Sequence, residues 1–318
     1  MVRNAAWCLA AILLATAGCG GEDKAAAAKH TWPMSSEELA ALKKMPRAER
    51  EAWFRDLELP RYEAKRRAGE IRIDGVLDEP AWKQANVITL REGALGGPVR
   101  FATRVRMLWD DEAIYVGFEC DDPDVHAIRT RHDDNLWMHD LVELFIDPDG
   151  DSKSYVELHV AANGATADVL WADFRPGSDW FTQPTWERFD EKTLTTAYDP
   201  TGITSAVRVD GTLNNPDDTD KGYTVEWRVP YAALVNVVPD VQAGRKLIDA
   251  SLYRQVPIEQ PRAGTTWRMN FNRCDDSIKL TEKDAKGRDV PVHEFSAWAP
   301  TTGSNHMPFL FGCVLFVK

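Results

Sequence analysis

The chain has 318 residues, 44% of them hydrophobic and 28% charged, with a formal net charge of −12 at neutral pH. Acidity on that scale argues against nucleic acid, or an anionic membrane face, as a ligand. Apart from Cys8 and Cys19 near the N-terminus, only Cys120, Cys274 and Cys313 remain, which allow at most one disulfide and exclude a disulfide scaffold.

Residues 1–18 read as a signal peptide. Arg3 supplies the positive charge, and Ala5 to Ala17 forms an apolar run of roughly a dozen residues, short of the 20 or so that span a bilayer. Small residues lead into Cys19, and the apolar character stops at Gly20-Gly21-Glu22-Asp23-Lys24. The arrangement resembles a bacterial lipobox, which implies lipid on Cys19. Thr16 stands where that pattern prefers Leu, and Ala15-Thr16-Ala17 would also suit an ordinary signal peptidase. Gly20, not Asp, resembles lipoproteins sent to the outer membrane. The expected location is therefore outside the cytoplasm, at the outer membrane, cell surface or periplasm, with the membrane touched only through the anchor.

Residues 19–34 form a linker containing Ala25 to Ala28 and Pro33. Residues 35–68 read as helical. Ser35 and Glu38 make a capping box, Leu39 and Leu42 share a face, and Pro46 ends the first helix. A second helix around Ala48 to Leu57 presents Trp53, Phe54 and Leu57. The pair either packs on the main domain or spaces it from a membrane.

Over residues 69–318 the pattern changes to short alternating strands separated by Asp, Gly, Pro and Asn. Phe101 to Leu108, the turn Asp110-Asp111-Glu112, and Ile114 to Cys120 read as a hairpin. Strands follow at 141–146, 155–160, 167–174, 205–209, 223–229, 247–256, 266–274 and 309–317. With no regular helices between them, the expected fold is all-β, an antiparallel β-sandwich of roughly ten strands behind a short helical segment. Cys120 shares strand parity with Ile114, Val116 and Phe118, and reads as a small buried hydrophobe. Trp171, Trp180 and Trp186 fall in a loop-rich stretch.

Strand parity selects the candidate site. Val142, Leu144 and Ile146 share one face of their strand, and Val156, Leu158 and Val160 one face of theirs. Glu143, Tyr155, Glu157 and His159 then lie opposite, with Trp137 in the loop just before. An aromatic ring beside carboxylate and imidazole groups suits a sugar, whose C–H face stacks while its hydroxyls find partners. Taken by spacing alone, the same pattern also describes a solvated sheet face.

Longer blocks sharpen this reading. Ile73-Asp74-Gly75-Val76-Leu77-Asp78-Glu79-Pro80-Ala81-Trp82, Val105 to Val116, Leu136-Trp137, Asp140 to Asp147, Trp267 to Phe271, Trp298, Pro308 and Phe311-Gly312 together resemble family 9 carbohydrate-binding domains. The resemblance implies a site that clamps a sugar between two tryptophans. Trp137 matches the first tryptophan, Glu143 a sugar-contacting glutamate, and His159 falls where the family has an arginine. The second tryptophan belongs just before Pro308, where this chain has Asn305, His306 and Met307; Trp171 or Trp298 could replace it. His306 would bond the sugar or brace its loop, and parity adds Asn270 and Asn272.

Other chemistries have thinner support. Asp147, Asp149 and Asp151 form an oxygen-rich turn suited to Ca²⁺ or to a tight hairpin, but not an EF-hand, since Leu158 occupies the twelfth position. The histidines lack zinc-motif spacing, because His293-Glu294 has no second histidine four positions on. Glu143 and Glu157 could be paired as glycosidase carboxylates, yet the sandwich leaves no room for a catalytic domain and no nucleophile motif is present. Distantly related sandwiches bind haem, for which Met138, His139, His159 and Met269 are candidate ligands, though no Cys-x-x-Cys-His exists for covalent attachment. A structural lipoprotein without a ligand is a further alternative. The chain is therefore expected to be a non-catalytic lipoprotein that holds a carbohydrate through Trp137, Glu143, Glu157, His159, Asn270, Asn272 and His306.

Overall fold

The computed structural model describes residues 30–173, 186–189, 198–239, 253–302 and 304–318. The signal sequence, Cys19, most of the linker and Trp180 lie outside the described residues, and of Trp186 only the backbone is described. No helix among the described residues is long and apolar enough to cross a membrane.

Two helices open the described chain, α1 (Ser36–Lys44) and α2 (Arg47–Arg55). The capping box forms as expected: the Glu38 amide donates to Ser35 Oγ at 3.1 Å, and the Ser35 amide to Glu38 Oε2 at 2.8 Å. Acidic Glu37 and Glu38 at its start, and Lys43 and Lys44 at its end, complement the helix dipole. Leu42, Phe54 and Leu57 are buried with Met34, Met307 and Leu310. The pair therefore packs on a C-terminal segment of the main domain.

Residues beyond Pro60 depart from the helical expectation. Arg61–Arg66 is a strand, β1, with Tyr62 and Ala64 facing inward. Arg61, Glu63 and Lys65 alternate with Tyr62 and Ala64, a period of two, but only those two inward positions are apolar and one of them is a small alanine. Tyr62 anchors the strand: its hydroxyl donates to the Asn86 carbonyl at 2.8 Å and accepts from the Met107 amide at 3.0 Å. The sandwich thus begins before residue 69.

The remaining strands are β2 (Ile88–Thr89), β3 (Arg91–Glu92), β4 (Thr103–Trp109), β5 (Ala113–Asp121), β6 (Leu141–Asp147), β7 (Ser154–Ala161), β8 (Thr166–Asp173) and β9 (Trp186–Phe189). After them come β10 (Thr204–Asp210), β11 (Gly222–Pro230), β12 (Val235–Pro239), β13 (Tyr253–Pro257), β14 (Thr266–Lys283), β15 (Asp289–Ala297) and β16 (Gly312–Val317). All but β12 and β13 join one curled sheet, ordered β10-β11-β5-β4-β1-β16-β14-β6-β7-β8-β9, with β2, β3 and β15 attached at its sides. Pairing is antiparallel except at β1, which runs parallel to both β16 and β4. The sheet is therefore mixed, with more strands than expected. It curls so that Val105, Val116 and Phe118 from one half meet Leu144, Leu158 and Phe271 from the other in a single core. Cys120 and Cys274 are buried and carry no disulfide.

The segment opening at Ile73 has a structural task. The buried Glu226 on β11 accepts from the amides of Asp74 (3.0 Å) and Gly75 (2.8 Å) and from Trp82 Nε1 (2.8 Å). Gly75 has φ +83°, and a Cβ there would lie 2.9 Å from the Val207 carbonyl carbon, so glycine is required by both conformation and space. Glu226→Ala would leave three donors without their acceptor. Because hydrogen bonds to charged groups contribute about 1.5–3 kcal/mol each, the expected loss is about 3 kcal/mol or more, readable as a lower urea midpoint.

Candidate functional site

Pairing registers bring the predicted residues into rows. Asn272 on β14 lies opposite Glu143 on β6, and Glu143 opposite His159 on β7. In the neighbouring rows Phe145 faces Glu157, and Tyr155 faces Trp171 on β8. The even positions of β6 and β7 enter the core, which commits these side chains to the other face. That face is not an ordinary solvated one: Glu143 is 2% and Glu157 5% exposed.

A cavity of about 580 Å³ opens over these rows, lined among others by Trp137, Glu143, Glu157, His159, Trp171, Asn305 and His306. Trp137 stands at its lip on the turn Leu136–Met138, half exposed at 51%. A tryptophan left so open forgoes burial energy and offers a stacking surface. Trp171 forms an inner wall beside His306, their ring centroids 4.5 Å apart. Nδ1 of His306 meets the Tyr155 hydroxyl at 2.7 Å, so a buried strand residue aims it. Met307 turns the other way, into the cluster around the helices. Trp171 and His306 thus line the same cavity as Trp137. Trp298 does not serve: it is buried and packs on Phe271 at 5.4 Å. A larger cavity, about 950 Å³, lies between the Thr31–Trp32 segment and β1, but it contains none of these imidazoles.

The floor holds two carboxylates and one imidazole. His159 Nε2 lies 2.6 Å from Glu157 Oε1 and 3.6 Å from Glu143 Oε1. Glu157 also accepts from Trp171 Nε1, and His306 Nδ1 lies 4.0 Å from it. Burial works to raise the Glu157 pKa, but the combined pull of His159, His306 and the Trp171 bond keeps it below the usual carboxylate value. Glu143 has weaker partners, the amides of Asn272 and Asn305, each at 3.4 Å. Burial, with Glu157 adding repulsion and His159 only partly offsetting it, pushes Glu143 up to about 7. Near neutrality one floor carboxylate is a fixed anion and the other is poised to exchange a proton.

Asn270 and Asn272 do not line the cavity. Asn270 is fully buried and serves the backbone, with Nδ2 donating to the Ala299 carbonyl and Oδ1 accepting from the Ala299 amide, both at 2.9 Å. Asn272, equally buried, supports Glu143 from beneath. Parity gave their face correctly but not their depth. Sequence reasoning passed over Asp134, Asn135 and Phe295, which also line the cavity; they lie in loops and on β15, where no alternation marked them.

At the aspartate turn, one oxygen from each of Asp147, Asp149 and Asp151 falls within 4.8 Å of the others, a donor type that suits calcium. These carboxylates already close the turn, accepting from the amides of Gly150, Ser152, Asp151 and Lys153 at 2.8–3.2 Å. The haem candidates have separate surroundings. Met269 is fully buried in the core, Met138 Sδ meets Arg129, His159 is held by Glu157, and His139 adjoins His126.

Part of the chain is similar to known proteins. Residues 73–172 match the family model described as carbohydrate family 9 binding domain-like. Over that segment, about a third of its length, the chain is similar to family 9 carbohydrate-binding domains. Over 86 residues it is 35% identical to endo-1,4-beta-xylanase A of Thermotoga neapolitana, covering 27% of this chain and 8% of that enzyme. With the exoglucanase XynX of Acetivibrio thermocellus it shares 33% identity over 85 residues, 27% of this chain and 7% of that one. The chain thus spans less than a tenth of these relatives' length. A Bacteroides uniformis crystal structure shares the fold, with a TM-score of 0.52 at 14% identity, covering 81% of this chain and 100% of that one. The family match takes in Trp137, Glu143, Glu157, His159 and Trp171; His306 and the Asn pair fall outside it.

The floor makes a pH prediction. Glu143 holds its proton more tightly in the folded chain than unfolded, so its contribution to stability is present at low pH and is lost as pH rises through about 7. Glu143→Gln keeps the neutral shape at every pH. The variant is expected to gain stability over wild type between about pH 5 and about pH 8, by on the order of 3 kcal/mol, in urea titrations at several pH values.

Proposed function

We propose that this chain is an exported, lipid-anchored, non-catalytic carbohydrate-binding protein that holds a glycan or saccharide near the cell surface, in support of polysaccharide breakdown. The observation that carries this reading is the convergence of Trp137, Trp171 and His306 with Glu143, Glu157, His159 and Asn305 around one cavity. Its volume of about 580 Å³ suits a small ligand. Indole faces would stack on the sugar's C–H surface, and the carboxylates and Asn305 would meet its hydroxyls. The relatives' names describe polysaccharide-degrading enzymes, and the match covers only a small part of each. That pattern supports an accessory role.

A non-catalytic reading is supported by the floor itself. Glycosidase carboxyls flank the scissile bond at about 5 Å or more, with sugar between them. Here Glu143 and Glu157 both address one nitrogen of His159.

A glycan array followed by calorimetry, on wild type, Trp137→Ala and Trp171→Ala, tests the assignment. Each substitution is expected to weaken binding roughly tenfold or more, about 1.4 kcal/mol. Equal affinities in all three proteins, or no glycan bound by any, would refute it. Lipid attachment is tested separately. Metabolic labelling with a radioactive fatty acid should mark the wild-type chain and not Cys19→Ser; label in both, or in neither, counts against the anchor.

A further inference from the structure

Beside the cavity, three histidines surround one aspartate. His126 Nδ1 lies 3.2 Å from Asp276 Oδ2, His139 Nδ1 lies 3.7 Å from the same oxygen, and His293 Nδ1 lies 3.7 Å from Asp276 Oδ1. One ligand-type atom from each of His126, His139 and Asp276 falls within 4.8 Å of the others. The rings of His126 and His139 meet edge to face, with centroids 5.1 Å apart.

Two features set this cluster apart from a chance gathering of polar groups. His139 is only 8% exposed, and its Nδ1 is buried without a hydrogen-bond partner although it faces the aspartate. A buried polar nitrogen left unsatisfied costs about 1–3 kcal/mol, and a bound ion would remove that cost. The second is the support behind it. Asp140, fully buried, accepts from the His126 amide at 2.6 Å and the Asp276 amide at 2.7 Å, while its own amide donates to the His126 carbonyl at 2.9 Å. One carboxylate thus fixes the backbones of two members of the cluster, and Asp140 itself adjoins His139 in sequence.

We infer that His126, His139 and Asp276 form a binding site for a divalent transition-metal ion of the zinc class. Two imidazoles and a carboxylate favour such an ion over calcium or magnesium, which prefer oxygen alone. Ligands about 2.0–2.1 Å from a tetrahedral zinc stand about 3.4 Å apart, between the two His–Asp276 distances here. His293 lies on the open side, 43% exposed, leaving room there for water or a fourth donor. The nearby cation Arg129 is occupied by Asp134 at 2.8 Å. Motif spacing could not reveal the site, because its members come from the segment after β5, the turn before β6, and β14.

The test uses the full chain without a polyhistidine tag, stripped with a chelator and then titrated with zinc by calorimetry and with cobalt by visible absorption. One equivalent of zinc and the intense d–d bands of tetrahedral cobalt are expected. His139→Gln and His126→Gln should each abolish both signals. Asp140→Asn should weaken zinc binding roughly 10–100-fold, as loss of an outer support does. His132→Ala, altering the separate group with Asp133 and Asp168, should leave binding unchanged. Circular dichroism checks folding, and His126→Gln decides if the His139 variant does not fold. No zinc bound by wild type, or full binding by a folded His126→Gln protein, overturns the inference and leaves a purely hydrogen-bonded cluster.

Discussion

A single buried guanidinium holds the two halves of the curled sheet in register. Arg273 on β14 is 1% exposed, yet it donates to Thr103 Oγ1 at 3.2 Å and to the Asp121 carbonyl at 2.9 Å, and pairs with Asp122 at 2.8 Å and Asp275 at 2.5 Å. Those partners come from β4, from β5 and the residue after it, and from β14 itself. An arginine so committed cannot turn outward without abandoning buried carboxylates, a loss on the order of 3–5 kcal/mol. Strand alternation does the rest. With Phe271, Arg273 and Asp275 pointing in, Asn272, Cys274 and Asp276 must point to the opposite face. The cavity floor and the histidine cluster both rest on that parity. The acidic surroundings carry the electrostatic cost: burial, with Arg273 only partly offsetting it, holds Asp275 up to about 6, and burial with the charges of Asp122 and Asp275 raises Asp140 well above the usual carboxylate value.

Much of the architecture was legible because buried strands advertise themselves. β4 to β8, β10 and β11 lie within two residues of their expected limits, since Val, Ile and Phe alternate with polar residues or run together; β16 starts three residues later than expected, after the turn Pro308–Leu310. Other strands, among them β1, β2, β3, β9, β12 and β15, lie outside the expected spans, and four of them show why. β1 has only Tyr62 and Ala64 on its inward face, too few apolar residues to announce a strand. β15 contains Pro291, which reads as a break but is tolerated where a strand pairs irregularly; its partner β14 shifts register between Asp276 and Thr281. β2 and β3 are two residues each, below what any pattern can announce.

The candidate site was legible at the level of faces and illegible at the level of depth. Period two puts Glu143, Glu157 and His159 on one face, and the structure sets His159 Nε2 at 2.6 Å from Glu157 and 3.6 Å from Glu143. Parity cannot say that Asn270 is spent on the Ala299 backbone, nor that Trp171 stands beside His306 and Trp298 does not. Those outcomes follow from how far the sheet curls, a property of the whole fold. Convergence of His126, His139 and Asp276 belongs to the same category, and residues from distant segments leave no local trace.

The parallel pairing at β1 bears on how the molecule is assembled. β1 sits between β4 and β16, so a neighbour it needs is made almost a whole domain later. Until β16 arrives, β1 and β14 each present an open row of amides and carbonyls. Contacts spanning that much sequence form slowly. A nascent chain of this topology keeps those strand edges open until its last strand is made.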